Sequence, residues 1–247
     1  MATSGSRRRA ANAETDRVEI CAGTQPKRLR ARVGTIVMTD RLERAREVSR
    51  RLDALVGTPL VPLDHTDPFT LLVAVVLSAQ CTDARVNLVT PGLFRAAPDP
   101  ASLARLGVPA VLEHIRTCGL APTKAKHLVA LSQQLVDLHA GVVPRDLDSL
   151  EALPGVGHKT ASVVRVQAFD IPAMPVDTHV FRCARRWGLS DGSTVVAVER
   201  DLCALFEPRT WGRIHLQMIV VGRRWCAARG HDSTACPMCE NLGAAGA

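Results

Sequence analysis

At 247 residues the chain is long enough for one large hydrophobic core or two smaller ones. No apolar run approaches the roughly 18 residues that span a membrane, the Arg-rich start has no apolar stretch of a secretory signal, and eight cysteines without framework spacing fit a reducing cytosol. The net charge of +7 suggests an acidic partner, yet residues 1–32 hold eight basic groups against three acidic ones, a net +5 that leaves only +2 for the rest. Placement of charge, not its sum, must therefore argue for any nucleic acid.

Residues 1–38 read as a disordered basic tail, polar and without periodicity. The first helix is expected from Thr39 or Asp40 to about Val56, with Leu42, Ala45, Val48, Leu52 and Leu55 on one stripe and Gly57 at its end. A proline-broken linker follows. Asp67 and Pro68 then form a cap and first-turn start for the nearly continuous apolar run PFTLLVAVVLSAQ, read as a buried helix. Further helices are expected near 83–96, 100–106, 109–118 and 123–139, then around 178–187, 194–206 and 208–224. No stretch sustains period-two alternation, so the fold class is all-α.

The centre of the chain is LEALPGVGHKTASVVRVQAFDIPAMPVDTHVFR, residues 150–182. It predicts a short helix, a tight Pro-Gly-Val-Gly turn and a second helix beginning near His158, a helix-hairpin-helix over 147–168. Gly155 and Gly157 are read as permitting positive φ and close backbone approach. The second helix then starts with unpaired N–H groups, a site for an anion such as a nucleic-acid phosphate. Lys159 lies in its first turn, where the helix dipole and desolvation draw an ammonium towards deprotonation. A neutral lysine is a nucleophile for a carbon such as C1′ of deoxyribose. The chain holds 27 Arg and four Lys, and Arg at this position could not deprotonate to attack. Asp177, in VDTH, is a natural N-cap for the next helix and equally a carboxylate able to take a proton or stabilise developing positive charge.

LPGVGHKTASVV followed by VDTH resembles the helix-hairpin-helix (HhH-GPD) DNA glycosylase superfamily, specifically its endonuclease III branch. The resemblance runs from about Leu42 to Cys239. It implies two helical domains with DNA in the cleft between them: 67–177, containing the hairpin, and a discontinuous domain of 39–66 with 178–247. It implies a bifunctional glycosylase and abasic-site lyase acting on oxidised pyrimidines, with Lys159 and Asp177 as catalytic pair. The partner is double-stranded DNA bearing damaged bases or abasic sites; a cytoplasmic monomer is expected, nucleoid-associated in a bacterium. A monofunctional glycosylase or a non-enzymatic lesion-binding paralogue are the rivals, and an intact Lys–Asp pair argues against both.

Further positions acquire roles from the resemblance. Gln80, in LSAQCTD, would enter the space left by a flipped nucleotide; on its own it reads as a helix C-cap. Leu120, in RTCGLAPTKAK, would be an apolar wedge in the base stack. Ala121 stands where the family often has an aromatic, and the chain has no Tyr, which leaves less stacking surface beside the lesion. Lys124 and Lys126 are read as phosphate contacts, and His179 as a supporting or phosphate contact.

At the C-terminal end Cys226, Cys236 and Cys239 lie in WCAARGHDSTACPMCEN. The family holds a 4Fe–4S cluster here with four cysteines. This chain keeps the C-x2-C pair, has nine residues in the first gap and lacks a fourth cysteine. Three readings follow, in this order: a cubane on three thiolates with water or another side chain on the fourth iron, a Cys3His zinc site completed by His231, or three metal-free thiols. Cys21, Cys81, Cys118, Cys183 and Cys203 are read as buried apolar groups or tail residues.

Overall fold

The computed structural model describes residues 34–240 and 242. Among these the secondary structure is helical throughout: α1 Gly34–Val56, α2 Pro68–Ser78, α3 Asp83–Ala96, α4 Pro100–Ile115, α5 Ala121–His139, α6 Leu147–Glu151, α7 His158–Phe169, α8 Thr178–Arg186, α9 Val195–Leu205 and α10 Trp211–Arg224, with a 3-10 turn at Pro208–Thr210. One expectation changes. The first helix begins at Gly34, so neither Thr39 nor Asp40 starts it; the readings of residues 1–33, with Cys21, lie outside the described residues. The two helices expected at 100–106 and 109–118 both form within α4, separated where Gly107 leaves helical geometry with a φ of 77° and a ψ of 163°, a conformation open to glycine.

Two hydrophobic clusters organise these helices. The first is built from residues between Leu63 and Val164, with α2 at its centre. Asp67 starts α2 as the sequence predicts: its carboxylate accepts from the backbone N–H groups of Phe69 and Thr70, and the Thr70 hydroxyl closes a capping box. All residues from Phe69 to Leu77 are buried, because α3, α5 and α7 cover every face of the helix. Truncating one of them, Leu72→Ala for example, is expected to cost about 2–5 kcal/mol through lost burial and the cavity left behind.

The second cluster joins Ala45, Val48 and Leu52 of α1 to α8, α9, α10 and the C-terminal cysteines. Chain order explains this assembly. The polypeptide leaves α1, builds the first cluster, and returns at Met174 to complete the second. Gln217 and Arg213 of α10 donate to the Asp53 carboxylate of α1, fastening the two segments of that cluster together. Ion pairs also cross from one cluster to the other. Arg223 of α10 meets Asp83 of α3 at 2.6 Å, and His158 of α7 meets Glu199 of α9 at 3.0 Å.

Candidate active site

The seam between the clusters is a cleft of about 850 Å³ lined by residues from both, including Gln80, Lys159, Asp177, His179, His215 and Arg223. Lys159 and Asp177, eighteen residues apart in sequence, are thus brought to one cavity. Each is placed by local rules. Lys159 is the second residue of α7, which starts at Gly157 without a side-chain cap, so the dipole's positive end and its amide N–H groups face the same region. Burial lowers the Lys159 pKa below the ordinary lysine value; the charges of Asp177 and Asp83 oppose that shift and Arg223 adds to it. Asp177 caps α8, accepting from the backbone N–H groups of His179 and Val180 at 2.9 and 2.8 Å. Both bonds use one carboxylate oxygen, Oδ1, so a capping aspartate keeps its second oxygen for other chemistry.

The hairpin glycines differ from one another. Gly155 has a φ of 80°, and a Cβ there would lie 2.8 Å from the His127 ring, so both conformation and space require glycine. Gly157 corrects the sequence reading: its φ is −98°, which any residue adopts. A Cβ at Gly157 would meet no protein atom within 4 Å. What glycine provides there is an open approach to the α7 N-terminus, not a special backbone angle.

Gln80 and Leu120 sit on neighbouring loops. Both are exposed, and both are non-glycine residues with left-handed backbone, φ 53° and 61°. A side chain at Gly119 would place its Cβ 2.6 Å from the Gln80 carbonyl oxygen, so the two loops are packed backbone to backbone. Two adjacent strained residues with exposed side chains mark a place where local geometry serves something other than packing. Behind them burial and the neighbouring Cys81 thiol push the Cys118 thiol up to about 11, in keeping with its expected apolar role.

The remaining predicted contacts divide. Lys126 is exposed on α5. Lys124 is a correction: it is 4% exposed, and its Nζ donates to the Leu77 carbonyl at 2.7 Å. Its ammonium closes the C-terminal end of α2 and does not face a phosphate. His179 lines the cleft, and its Nδ1 accepts from Arg182 at 3.2 Å.

Two cleft groups were not singled out from the sequence. His215 is buried on α10, its Nδ1 donating to the Pro175 carbonyl at 2.7 Å. Burial draws its pKa down to about 4, with Asp177 opposing and Lys159 assisting the shift, so the ring is neutral and its Nε2 is an acceptor. The signal was a histidine placed among Trp211, Ile214, Met218 and Val221, the apolar residues of the buried face of α10. Arg223 was hidden because only the fold brings it to Asp83.

At the far end of the second cluster the Cys226, Cys236 and Cys239 sulfurs and a His231 ring nitrogen all lie within 4.8 Å of one another. Cys226 Sγ is 3.8 Å from Cys239 Sγ, which is 3.5 Å from His231 Nε2. This donor set is compatible with a bound metal.

The site belongs to a known class. The family model described as HhH-GPD superfamily base excision DNA repair protein matches residues 73–208, more than half of the chain. Endonuclease III of Treponema pallidum is 45% identical over 189 residues, covering 76% of this chain and 90% of that protein. Endonuclease III of Escherichia coli K12 is 40% identical over 197 residues, covering 78% and 93%. A trapped endonuclease III–DNA covalent intermediate superposes with a TM-score of 0.76 at 39% identity, covering 80% of this chain and 93% of that one. A thermostable thymine-DNA glycosylase, 19% identical with a TM-score of 0.70, shares the fold. The chain belongs to the endonuclease III branch of the HhH-GPD superfamily.

Proposed function

We propose that the chain is a bifunctional DNA glycosylase and abasic-site lyase that removes oxidised pyrimidines from double-stranded DNA. The observation that carries this reading is the meeting of a half-buried Lys159, its pKa lowered by burial, with Asp177 in one cleft. The similarity to a protein trapped covalently on DNA supports it. The two hydrophobic clusters act as the two domains, 67–177 against 39–66 with 178–247, and DNA lies across their seam.

C1′ cannot be reached inside a stacked duplex, so the damaged nucleotide is extruded into the cleft. Leu120 enters the stack and Gln80 the vacated space, where its amide bonds the orphaned base. The open face at Gly157 lets a backbone phosphate reach the α7 N-terminus. The neutral Lys159 amine forms a bond to C1′ as the glycosidic bond breaks and the base departs with its electron pair, taking a proton. Loss of a proton from nitrogen and opening of the C1′–O4′ bond give the imine. Removal of a C2′ proton then expels the 3′ phosphate, and water releases the lysine. Asp177 receives protons and balances the positive charge on the sugar. Lys126 and His179 supply contacts at the margin. The protein works where DNA is, in the cytoplasm or nucleoid; no described helix is long and apolar enough to cross a membrane.

The test is a panel of duplex oligonucleotides with defined lesions. Strand cleavage at oxidised pyrimidines and at abasic sites, leaving a β-elimination end, is expected. Base release without strand cleavage would assign a monofunctional glycosylase, and binding without either product a lesion-binding paralogue.

The donor set at the cysteine loop is a metal site in a family for which a 4Fe–4S cluster was expected. The ligand spacing does not fit that cluster. Each thiolate of a cubane binds a different iron, so an iron–iron edge separates terminal sulfurs, and three such thiolates stand well outside the 4.8 Å that bounds this set. No step of the reaction is routed through the metal.

A further inference from the structure

We propose that Cys226, His231, Cys236 and Cys239 form a closed mononuclear zinc site in place of the iron–sulfur cluster. Zinc binds thiolate sulfur at about 2.3 Å and imidazole nitrogen at about 2.0–2.1 Å, tetrahedrally, which sets sulfur–sulfur separations near 3.8 Å and sulfur–nitrogen separations near 3.5 Å. Cys226 and Cys239 are 3.8 Å apart, and Cys239 and His231 are 3.5 Å apart. The remaining pairs, all within 4.8 Å, close onto one ion with small side-chain movements.

The sequence departs from the family where this geometry needs it to. His231 falls midway in the nine-residue gap, with four residues between it and each of Cys226 and Cys236, and takes the place of the missing fourth cysteine. Cys183, whose thiol hydrogen-bonds Cys226, stands outside the four-atom group. Four protein ligands leave no open position, so the ion is structural and not a Lewis acid for substrate.

The surroundings suit the charge of that complex. Three thiolates and a neutral imidazole give zinc a net charge of −1, the three thiol protons passing to solvent on binding. Arg186 Nη1 donates to Cys226 Sγ at 3.2 Å and to the Ala227 carbonyl at 2.9 Å. Arg182 donates to the Cys226 carbonyl, while Arg51 of α1 donates to the carbonyls of Pro237, Met238 and Glu240. These guanidinium bonds fix the ligating loop against α1 and α8, as outer-shell groups fix metal ligands. Zinc would hold closed the loop that Arg51 fastens to α1.

The inference stands on ligand geometry, and its test reads metal content, so its failure is separable from failure of the glycosylase reading. The full chain is produced in medium containing both iron and zinc, purified without oxygen and assayed for metals. About one zinc per chain and a colourless solution are expected. About four irons per chain with a brown chromophore, or metal-free protein, overturns the proposal. Cobalt exchanged into the wild type should give the intense visible d–d bands of a tetrahedral thiolate site. His231→Ala should weaken zinc binding at least tenfold in competition with a chromogenic chelator and reduce those bands, and His231→Cys should restore them. Bands and affinity unmoved by His231→Ala would remove histidine from the site. Should that variant fail to fold, His231→Cys and the wild-type metal content still decide.

Discussion

The hairpin cleft and the cysteine loop carry motifs of the same family, one intact and the other altered. Lys159 and Asp177 stand in unbroken family motifs, and the structure gathers them into one cavity. The cysteine loop departs from the family spacing, and its four donors lie within 4.8 Å of one another, the convergence on which the zinc proposal rests. A motif transfers chemistry when every element of it is present. When a gap lengthens and a ligand is lost, the residues that remain have to be read for their own coordination geometry.

The largest effects are expected in the cleft. Lys159→Gln should abolish both base release and strand cleavage, and Lys159→Arg should be equally inactive despite its charge, because guanidinium does not deprotonate. DNA binding measured by gel shift should persist in both. Asp177→Asn should lower single-turnover cleavage by about 10²–10⁴-fold. Asparagine caps helices nearly as well as aspartate, so its melting temperature should stay near wild type; a collapse in stability would reduce Asp177 to its capping role.

The loop should show the opposite pattern. Cys236→Ser removes one of the four proposed zinc ligands and should release the metal and lower the melting temperature by several degrees, read by calorimetry with metal analysis. An unchanged transition would mean the loop is held by its arginine contacts alone. Lys124→Met separates the corrected residue from the DNA contacts. Losing a charged hydrogen bond to the Leu77 carbonyl should cost about 1–3 kcal/mol of stability and leave DNA affinity and its salt dependence unchanged. A shallower salt slope would return Lys124 to the phosphates.

The smallest effect concerns the ion pairs across the seam. Hydrogen bonds to Glu199 above all, and to Glu151, raise the His158 pKa to about 9, against burial. A raised folded-state pKa contributes stability in full below the free value of about 6.5, and that contribution fades as pH climbs to about 9. The His158 side chain is 45% exposed, so solvent weakens the term. His158→Gln should flatten the fall in melting temperature between these pH values; an unaltered profile would show that the pair is silent.

What could be read from the sequence follows from how far apart the cooperating groups lie. Asp67-Pro68 announced α2, and PGVGHK announced the hairpin, because capping and turn chemistry act over three or four residues. Gly157 differs from its sequence reading because a glycine required for open approach and one required for positive φ look alike in sequence. Lys124 looked like a phosphate contact because nothing in TKAK reveals that the end of α2, 47 residues earlier, supplies the partner. His215 and Arg223 needed α10 to be laid along the seam before they became part of the cleft.

If Lys159 is the nucleophile, borohydride reduction on abasic duplex DNA captures its imine as a stable amine. A single reduced adduct is expected, mapped by peptide mass spectrometry to the segment containing Lys159 and missing from Lys159→Arg. An adduct on Lys126 or on the N-terminal amine, or one formed by Lys159→Arg in undiminished yield, would show that another amine is the nucleophile.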